Sequence, residues 1–172
     1  MNANISRMRL RFFRRKVAVD SSSIIFSKKK CVYLNNKTKN SFSMLDILKK
    51  ELPQRLKKLQ QTIIESQADG CIIHSSVNLY YLTGCVFDGY LYVHPHEAPV
   101  LFIKRPVGNQ GERVEYIRKP EQIPDLLKAY HIAQPHSLLI ESDIMPHASA
   151  LRLKAAFGNV EFKNASGLMR QI

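Results

Sequence analysis

The chain has 172 residues, of which 45% are hydrophobic and 23% charged, with 7 Gly, 8 Pro and 3 Cys. This length fits one globular domain with an appendage and is too short for two domains of ordinary size. No run of about 18 apolar residues occurs, which excludes a transmembrane helix. Cys31, Cys71 and Cys85 have no metal-like spacing, so we expect a protein of a reducing compartment and not a disulfide scaffold.

The formal net charge of +12 is concentrated at the amino terminus. Residues 1–43 contain eleven Lys and Arg but one acid, Asp20, so that segment carries +10 and residues 44–172 carry only +2. The body of the protein is therefore close to neutral, and a basic nucleic-acid-binding surface is not expected on it.

Residues 1–43 show no sustained helical or alternating period, and we interpret them as a disordered tail or a misassigned upstream extension. In the second case translation begins at Met44, where an amphipathic pattern starts. An Arg-rich, acid-poor terminus is also typical of a mitochondrial transit peptide, and a basic arm can bind nucleic acid. We expect a cytoplasmic protein, with mitochondrial import as the alternative if the tail is a transit peptide; nucleic-acid binding is the least favoured reading.

The first helix of the body is amphipathic. One face carries apolar residues at helical spacing, which are Leu48, Leu52, Leu56, Leu59 and Ile63. Because Pro53 lacks an N–H and clashes with the preceding turn, we expect the main helix to begin near Pro53 and to end near Gln67.

Residues 71–73 form a short apolar run that predicts a buried strand. Ser76 is predicted to cap a short helix, and Gly84 suits the exit from that helix. Residues 86–93 are rich in aromatic and β-branched side chains, which predicts a strand with a turn or bulge at Asp88-Gly89.

The rest of the chain alternates between strands and helices. Strands are predicted at 100–103, 114–117, 138–140 and 160–162, and helices at 121–130, 145–155 and from 166 onward. This alternation predicts a layered α/β domain with helices on both faces of the sheet. The hairpin-like pair within 85–103 should make the sheet mixed.

The sequence contains no nucleophile elbow, no phosphate-binding glycine loop and no recognisable metal-ligand spacing. His94 and His96 flank Pro95 in a predicted turn, where histidine is usually structural or exposed. His74 is more suggestive, because it follows a strand, and open α/β sheets place ligands at the carboxyl ends of strands. A hydrogen-bonded core or rim histidine is nevertheless the more ordinary role for it. From the residues alone we expect no catalytic and no metal-binding group in this chain.

The segment Asn78-Leu79-Tyr80-Tyr81-Leu82-Thr83-Gly84 carries a family resemblance. Together with Arg55-Leu56 in the first helix and the strand Asp69–Ile73, it resembles the N-terminal domain of creatinase, prolidase and aminopeptidase P. In that family the tyrosine-containing segment is followed by an aromatic residue, whereas here Cys85 follows and Phe87 comes two residues later. The resemblance extends over residues 53–172 through three further segments, which are Gly89-Tyr90-Leu91, Pro99–Phe102 and Gly167–Arg170.

The resemblance implies that residues 44–172 form a three-layer α/β/α domain with a mixed sheet, of the ribonuclease-H-like kind. It also implies that the chemistry belongs to a following pita-bread domain, in which two Asp, a His and two Glu hold a pair of divalent metals. No Asp of this chain has a second Asp at the family's spacing. We therefore expect the non-catalytic half of such an enzyme, needing no cofactor of its own, with the chain ending where the connection to the catalytic domain begins.

The resemblance further implies the partners and the site. The partner would be a pita-bread catalytic domain, in cis or in trans, together with a second copy in a homo-oligomer and no membrane. Asn78, Tyr81 and Gly84 would lie towards the active site, with His74 and Asp88 as rim contributors. Two readings stay open beside this one: Tyr81 as ordinary core of a short helix and Gly84 as a simple turn. For the whole chain, a stand-alone interaction module of the same fold is the alternative.

Overall fold

The structure is a computed structural model that describes residues 44–108 and 111–172, with side chains from Lys50 onward. The predictions for residues 1–43, Cys31 included, lie outside the described residues. The described elements, in chain order, are α1 (Met44–Glu65), β1 (Gly70–Ile73), α2 (Ser76–Thr83), β2 (Asp88–Val93), β3 (Val100–Arg105), β4 (Val114–Tyr116), a 3-10 turn (Pro120–Gln122), α3 (Ile123–Ala129), β5 (Ser137–Ile140), α4 (His147–Phe157), β6 (Glu161–Asn164) and α5 (Ser166–Met169).

The described strands form one sheet in the order β4-β3-β2-β1-β5-β6. β2 runs antiparallel to both β1 and β3, whereas β1 with β5, β3 with β4, and β5 with β6 are parallel. Ile72, at the centre of β1, pairs with Tyr92 on one side and Ile140 on the other. The predicted mixed sheet is confirmed, and β2 is the strand that runs against the others.

Each face of the sheet is covered by helices. On one face α1, α2 and α5 pack against the sheet through side chains such as Leu59, Leu82 and Met169. On the other face α3 and α4 do so through side chains such as Leu127 and Phe157. Burial of these apolar side chains is the main stabilising term of the fold. The arrangement is the predicted three-layer α/β/α domain.

The expected start of the first helix near Pro53 is wrong. α1 begins at Met44 and continues through Pro53 to Glu65. Proline removes one hydrogen bond from a helix and tends to bend it, but it need not end it. The segment before Pro53 is rich in Leu, Lys and Glu, which are strong helix formers, and Leu56 and Ile63 beyond it are buried in the core.

The predicted bulge at Asp88-Gly89 is confirmed. Asp88 pairs with Arg105 and Gly89 with Ile103, so the register shifts by one residue between the two pairs. A Cβ atom on Gly89 would lie 2.1 Å from the carbonyl oxygen of Phe102. Only glycine lets the two backbones approach this closely.

The turn between β2 and β3 is organised by a histidine side chain. Nδ1 of His94 accepts hydrogen bonds from the backbone N–H groups of His96 (3.2 Å) and Glu97 (3.1 Å). Nε2 of Gln60 on α1 donates to the carbonyl oxygens of His94 (2.9 Å) and Glu97 (3.1 Å). This histidine is therefore structural, as predicted, and the turn is fastened to α1.

Because Nδ1 of His94 is an acceptor, the folded turn needs the neutral imidazole. Burial lowers the pKa of His94 below its ordinary value, and the charges of His96 and Arg113 lower it further, against the raising effect of Glu97 and Asp69. Between this pKa and the ordinary value of about 6.5, the unfolded chain binds more protons, so stability rises with pH.

We therefore expect His94→Asn to flatten the dependence of stability on pH. The asparagine oxygen can accept hydrogen bonds from the same N–H groups, but the amide does not titrate. Urea unfolding between pH 5 and pH 7 should show a smaller loss of unfolding free energy on acidification for the variant than for the parent chain. His147→Asn, at the exposed start of α4, is the control. Equal slopes for His94→Asn and the parent would contradict the assignment.

Candidate functional site

One end of the sheet holds all five predicted site residues. Because only β2 runs against the other strands, the carboxyl ends of β1, β3, β4, β5 and β6 lie beside the start of β2. We call this the carboxyl end of the sheet, made of residues 74–88, 104–108, 116–119, 141–144 and 164–166. His74, Asn78, Tyr81, Gly84 and Asp88 all belong to it.

A buried carboxylate holds the centre of this end. Glu141, directly after β5, has no exposed surface. Its carboxylate accepts hydrogen bonds from the backbone N–H groups of His74 (2.7 Å) and Ser75 (2.8 Å) and from the side-chain amide of Asn78. A negative charge is favourable at the amino end of a helix, where N–H groups lack partners. Glu141 therefore caps α2 from a distant strand.

The prediction that Ser76 caps this helix is wrong. The N-cap position is occupied by Ser75, and its side chain makes no capping hydrogen bond. The carboxylate of Glu141 accepts the hydrogen bonds at this end of α2 instead. No local sequence pattern indicated that Glu141 would do so. The signal that could have found it is an acidic residue directly after a buried apolar strand, at the end of the sheet where strand ends converge.

A second carboxylate joins the same two strands at their other ends. Asp69, just before β1, accepts hydrogen bonds from the backbone N–H groups of His136 (2.6 Å) and Ser137 (3.0 Å) at the start of β5. Burial raises the pKa of the Asp69 carboxyl, but the hydrogen bonds and the nearby His136 outweigh it, so the pKa lies below its ordinary value. β1 and β5 are thus fastened together at both ends.

Tyr81, also on α2, lies against Arg55 of α1. Its hydroxyl donates to the carbonyl oxygen of Ile172 (3.0 Å), and its ring lies 4.1 Å below the guanidinium of Arg55. Nη1 of Arg55 also donates to the Tyr81 carbonyl (2.9 Å), and Nη2 forms an ion pair with Glu51. Tyr81 therefore joins α1, α2 and the last described residue, a packing role that is compatible with the core reading.

Gly84 ends α2 in the left-handed conformation. Its φ is 69° and its ψ is 7°, and its N–H donates to the carbonyl of Tyr80. A side chain would be strained there, and its Cβ would also lie 3.2 Å from Cδ1 of Leu52. The hydroxyl of Thr83 donates to the Leu79 carbonyl (2.6 Å) and closes the same turn. The conformation alone accounts for this glycine.

His74 and Asp88 lie close to the bulge in β2. The His74 ring stacks on Tyr90 with 4.7 Å between the ring centroids, and Nδ1 contacts the Gly89 carbonyl at 2.8 Å. Since a carbonyl only accepts, Nδ1 of His74 donates this hydrogen bond. Asp88 is exposed and pairs across the sheet with Arg105. Of these two candidates, Asp88 is exposed and His74 is partly exposed.

Two kinds of feature are absent from the described part of the chain. No group of three or more His, Cys, Asp or Glu residues is placed there so that it could hold a metal ion. No described helix is both long and apolar enough to cross a membrane. Cys71 is buried, and burial raises the pKa of its thiol, as is usual for a cysteine that packs as a small core residue.

The Glu141 clamp generates a stability prediction. Glu141→Gln should lower the free energy of unfolding by about 2–4 kcal/mol, because at this buried position one amide oxygen cannot serve three donors and the new NH₂ group faces N–H groups. Urea unfolding measures the change. Glu112→Gln, at an exposed position, makes the same chemical change and should shift stability by less than about 0.5 kcal/mol. Equal effects of the two substitutions would show that Glu141 does not hold α2.

Comparisons with solved structures agree with this fold. The N-terminal domain of a Xaa-Pro dipeptidase from Lactobacillus brevis matches with a TM-score of 0.56 and 20% identity, over 69% of this chain and 99% of that one. The N-terminal domain of the cytoplasmic peptidase PepQ from Mycobacterium tuberculosis matches with a TM-score of 0.57 and 22% identity, over 69% and 97%.

A longer protein also matches. The prolidase from Pyrococcus horikoshii has a TM-score of 0.53 and 22% identity, and the match covers 69% of this chain but only 34% of the prolidase. The matched domain is thus about a third of that chain. No curated protein sequence gives a significant match.

The family models give the direct assignment. Residues 55–172 match the model of the Creatinase/Prolidase N-terminal domain, which is more than half of the chain and nearly all of its described part. This domain is the non-catalytic part of its family, and the resemblance carried by Arg55-Leu56 and the Asn78–Gly84 segment is confirmed. The chain belongs to the creatinase/prolidase N-terminal domain family, with a domain like those of Xaa-Pro peptidases.

Proposed function

We propose that this chain is the non-catalytic N-terminal domain of a proline-directed dimetal peptidase of the Xaa-Pro aminopeptidase or dipeptidase type. It would support the oligomer and cap the active site of a catalytic domain present in cis or in trans. The observation that carries the proposal is the family match over residues 55–172. The prolidase from Pyrococcus horikoshii supports it, because a domain of this fold makes up only about a third of that enzyme.

Four of the five candidate residues form two groups, and Tyr81 joins α1 to α2. Asn78 and Gly84 set the position of α2 through the Glu141 clamp and the left-handed turn. His74 and Asp88 would face the catalytic domain, since Asp88 is exposed and Nε2 of His74 makes no hydrogen bond with a described residue. The first group would thus preserve the shape of the cap, and the second would contribute to the rim of the active site.

The divalent metals of the reaction would belong to the catalytic domain, so this chain would need no cofactor for its own part. We also propose a cytoplasmic location, which is supported by the description of the Mycobacterium tuberculosis relative as a cytoplasmic peptidase.

The purified chain should not hydrolyse Xaa-Pro substrates. Incubated with Mn²⁺ and a Xaa-Pro dipeptide, it should release no free proline above the rate of the metal alone, because peptide hydrolysis at a dimetal site needs both metals and their ligands. A full-length prolidase under the same conditions is the positive control. Metal-dependent turnover proportional to the concentration of the chain, and retained through a second purification, would overturn the proposal.

A further inference from the structure

β6 is one of the two edge strands of the sheet. It pairs with β5 on one side, and no described strand lies on its other side. Edge strands commonly carry a proline, a bulge or a similar device that prevents pairing with another chain. β6 contains no proline and keeps a regular register with β5 over its four residues. Its outer edge is therefore open to a further strand.

The hydrogen bonds of β6 show which of its backbone groups point away from the sheet. In a parallel pair, alternate residues of a strand turn their N–H and C=O groups towards the neighbouring strand. The N–H of Glu161 donates to the carbonyl of His136 (2.8 Å), directly before β5. The N–H of Ala165 donates to the carbonyl of Ile140 (2.7 Å), at the end of β5. The N–H and C=O groups of Phe162, which alternates with these residues, therefore point outward.

The side chains on one face of β6 carry opposite charges. Residues two apart in a strand share a face, and the charged groups of Glu161 and Lys163 lie 3.7 Å apart. Within the described part of the chain, each of them forms an ion pair only with the other. The Glu161 side chain is 67% exposed and that of Lys163 is 37% exposed, so both are accessible to a neighbouring strand.

Phe162 lies on the other face of β6, beside α4. Its ring makes an edge contact with Phe157, with 6.4 Å between the ring centroids. The side chain is only partly buried, so part of the ring is available to a second ring across the open edge. Aromatic pairs directly opposite each other stabilise neighbouring strands.

We infer that β6 is the pairing surface for a second copy of this chain, which adds its own β6 in the antiparallel direction. Phe162 would lie opposite Phe162 of the second copy, and the two residues would exchange two backbone hydrogen bonds. In this register Glu161 of each copy lies opposite Lys163 of the other. The inference rests on the oligomeric part of the proposed function, for which it names the surface and the register.

The order of the charges is what favours a second copy. A two-fold contact places the same segment of both copies side by side, and the sequence Glu161-Phe162-Lys163 is complementary to itself when the two strands are antiparallel. A parallel pair in register would place glutamate opposite glutamate and lysine opposite lysine, which is destabilising. A lysine on an edge strand usually opposes pairing, but here a glutamate of the second copy would neutralise it.

The other edge of the sheet lacks this property. β4 has only three residues, Val114–Tyr116, and the charges around it are used within the chain. Glu115 accepts a hydrogen bond from the hydroxyl of Tyr130 (2.7 Å), and Arg113 forms an ion pair with Glu97 (3.3 Å). Pairing through β4 would compete with these contacts, whereas pairing through β6 would only add to the existing ion pair.

Two further charged side chains interact with β6. The carboxylate of Asp143 accepts a hydrogen bond from the amide of Asn164 (2.8 Å) and is thus already partnered. The ammonium of Lys154 lies 5.8 Å from the centre of the Phe162 ring. The Lys154 groups of the two copies would carry like charges on that face, but a long lysine side chain lets its ammonium turn to solvent. The register is therefore determined by Glu161 and Lys163.

Single charge reversals test the surface. We expect the purified full chain to sediment as a dimer at high micromolar concentration in about 0.15 M salt, which screens distant charges. Glu161→Lys and Lys163→Glu each place like charges opposite one another twice per dimer, so each should lower the association constant by roughly tenfold. Glu112→Lys and Lys57→Glu make the same changes at exposed positions away from β6 and should leave it unchanged. Circular dichroism checks that every variant is folded.

Combining the reversals tests the register. An equimolar mixture of Glu161→Lys and Lys163→Glu should form a heterodimer as readily as the parent chain dimerises, because a strand with two lysines then faces a strand with two glutamates. The double variant Glu161→Lys with Lys163→Glu exchanges the two charges and is again complementary to itself, so its dimer should also be restored. Neither recovery is expected if the two residues act only within one copy.

The contrary outcomes are distinguishable. A dimer that neither single variant weakens would overturn β6 as the pairing surface and leave the oligomeric role intact. Weakened single variants whose mixture and double variant do not recover would overturn the antiparallel register, and the inference with it. A parent chain that stays monomeric would overturn the inference together with the oligomeric role. The assignment to a peptidase would still stand in that case, because the assay for released proline tests it independently.

Discussion

The carboxylate of Glu141 holds together the segments on which the rest of this domain depends. It joins the end of β5 to the end of β1 and to the first turn of α2, through two backbone N–H groups and the amide of Asn78. A buried carboxylate is costly unless hydrogen bonds compensate for its lost hydration, and here three donors do so. Asp69 makes the matching connection at the other ends of β1 and β5, so this central parallel pair is fixed along its whole length.

The residues that carry the family resemblance are accounted for by these connections. Asn78 orients the Glu141 carboxylate, Gly84 supplies a left-handed turn, and Arg55 stacks on Tyr81 where α1 meets α2. The motif thus specifies how one short helix is attached to the sheet at both of its ends. That attachment also determines which side chains of the helix face solvent, and Val77 and Tyr80 are among them.

Local sequence patterns predicted most of the helices and strands. They could not predict contacts between residues that are distant in the sequence. Apolar runs predicted the central strands, and Asp88-Gly89 indicated the bulge, where a side chain on Gly89 would clash with the Phe102 carbonyl. The start of α1 was missed because Pro53 was weighted above the helix formers that precede it. Glu141 was missed because its donors lie more than 60 residues earlier in the chain. The open edge at β6 could not be predicted either, since only the order of the strands in the folded sheet shows that β6 lies at an edge.

The central claim is that this domain serves a metallopeptidase catalytic domain, and sequencing the transcript beyond codon 172 in the source organism tests it most directly. The account predicts an open reading frame that continues into a segment with the paired Asp, the His and the two Glu ligands, or a separate gene for that catalytic domain in the same genome. A stop codon directly after Ile172, in a genome that encodes no such domain, would contradict it.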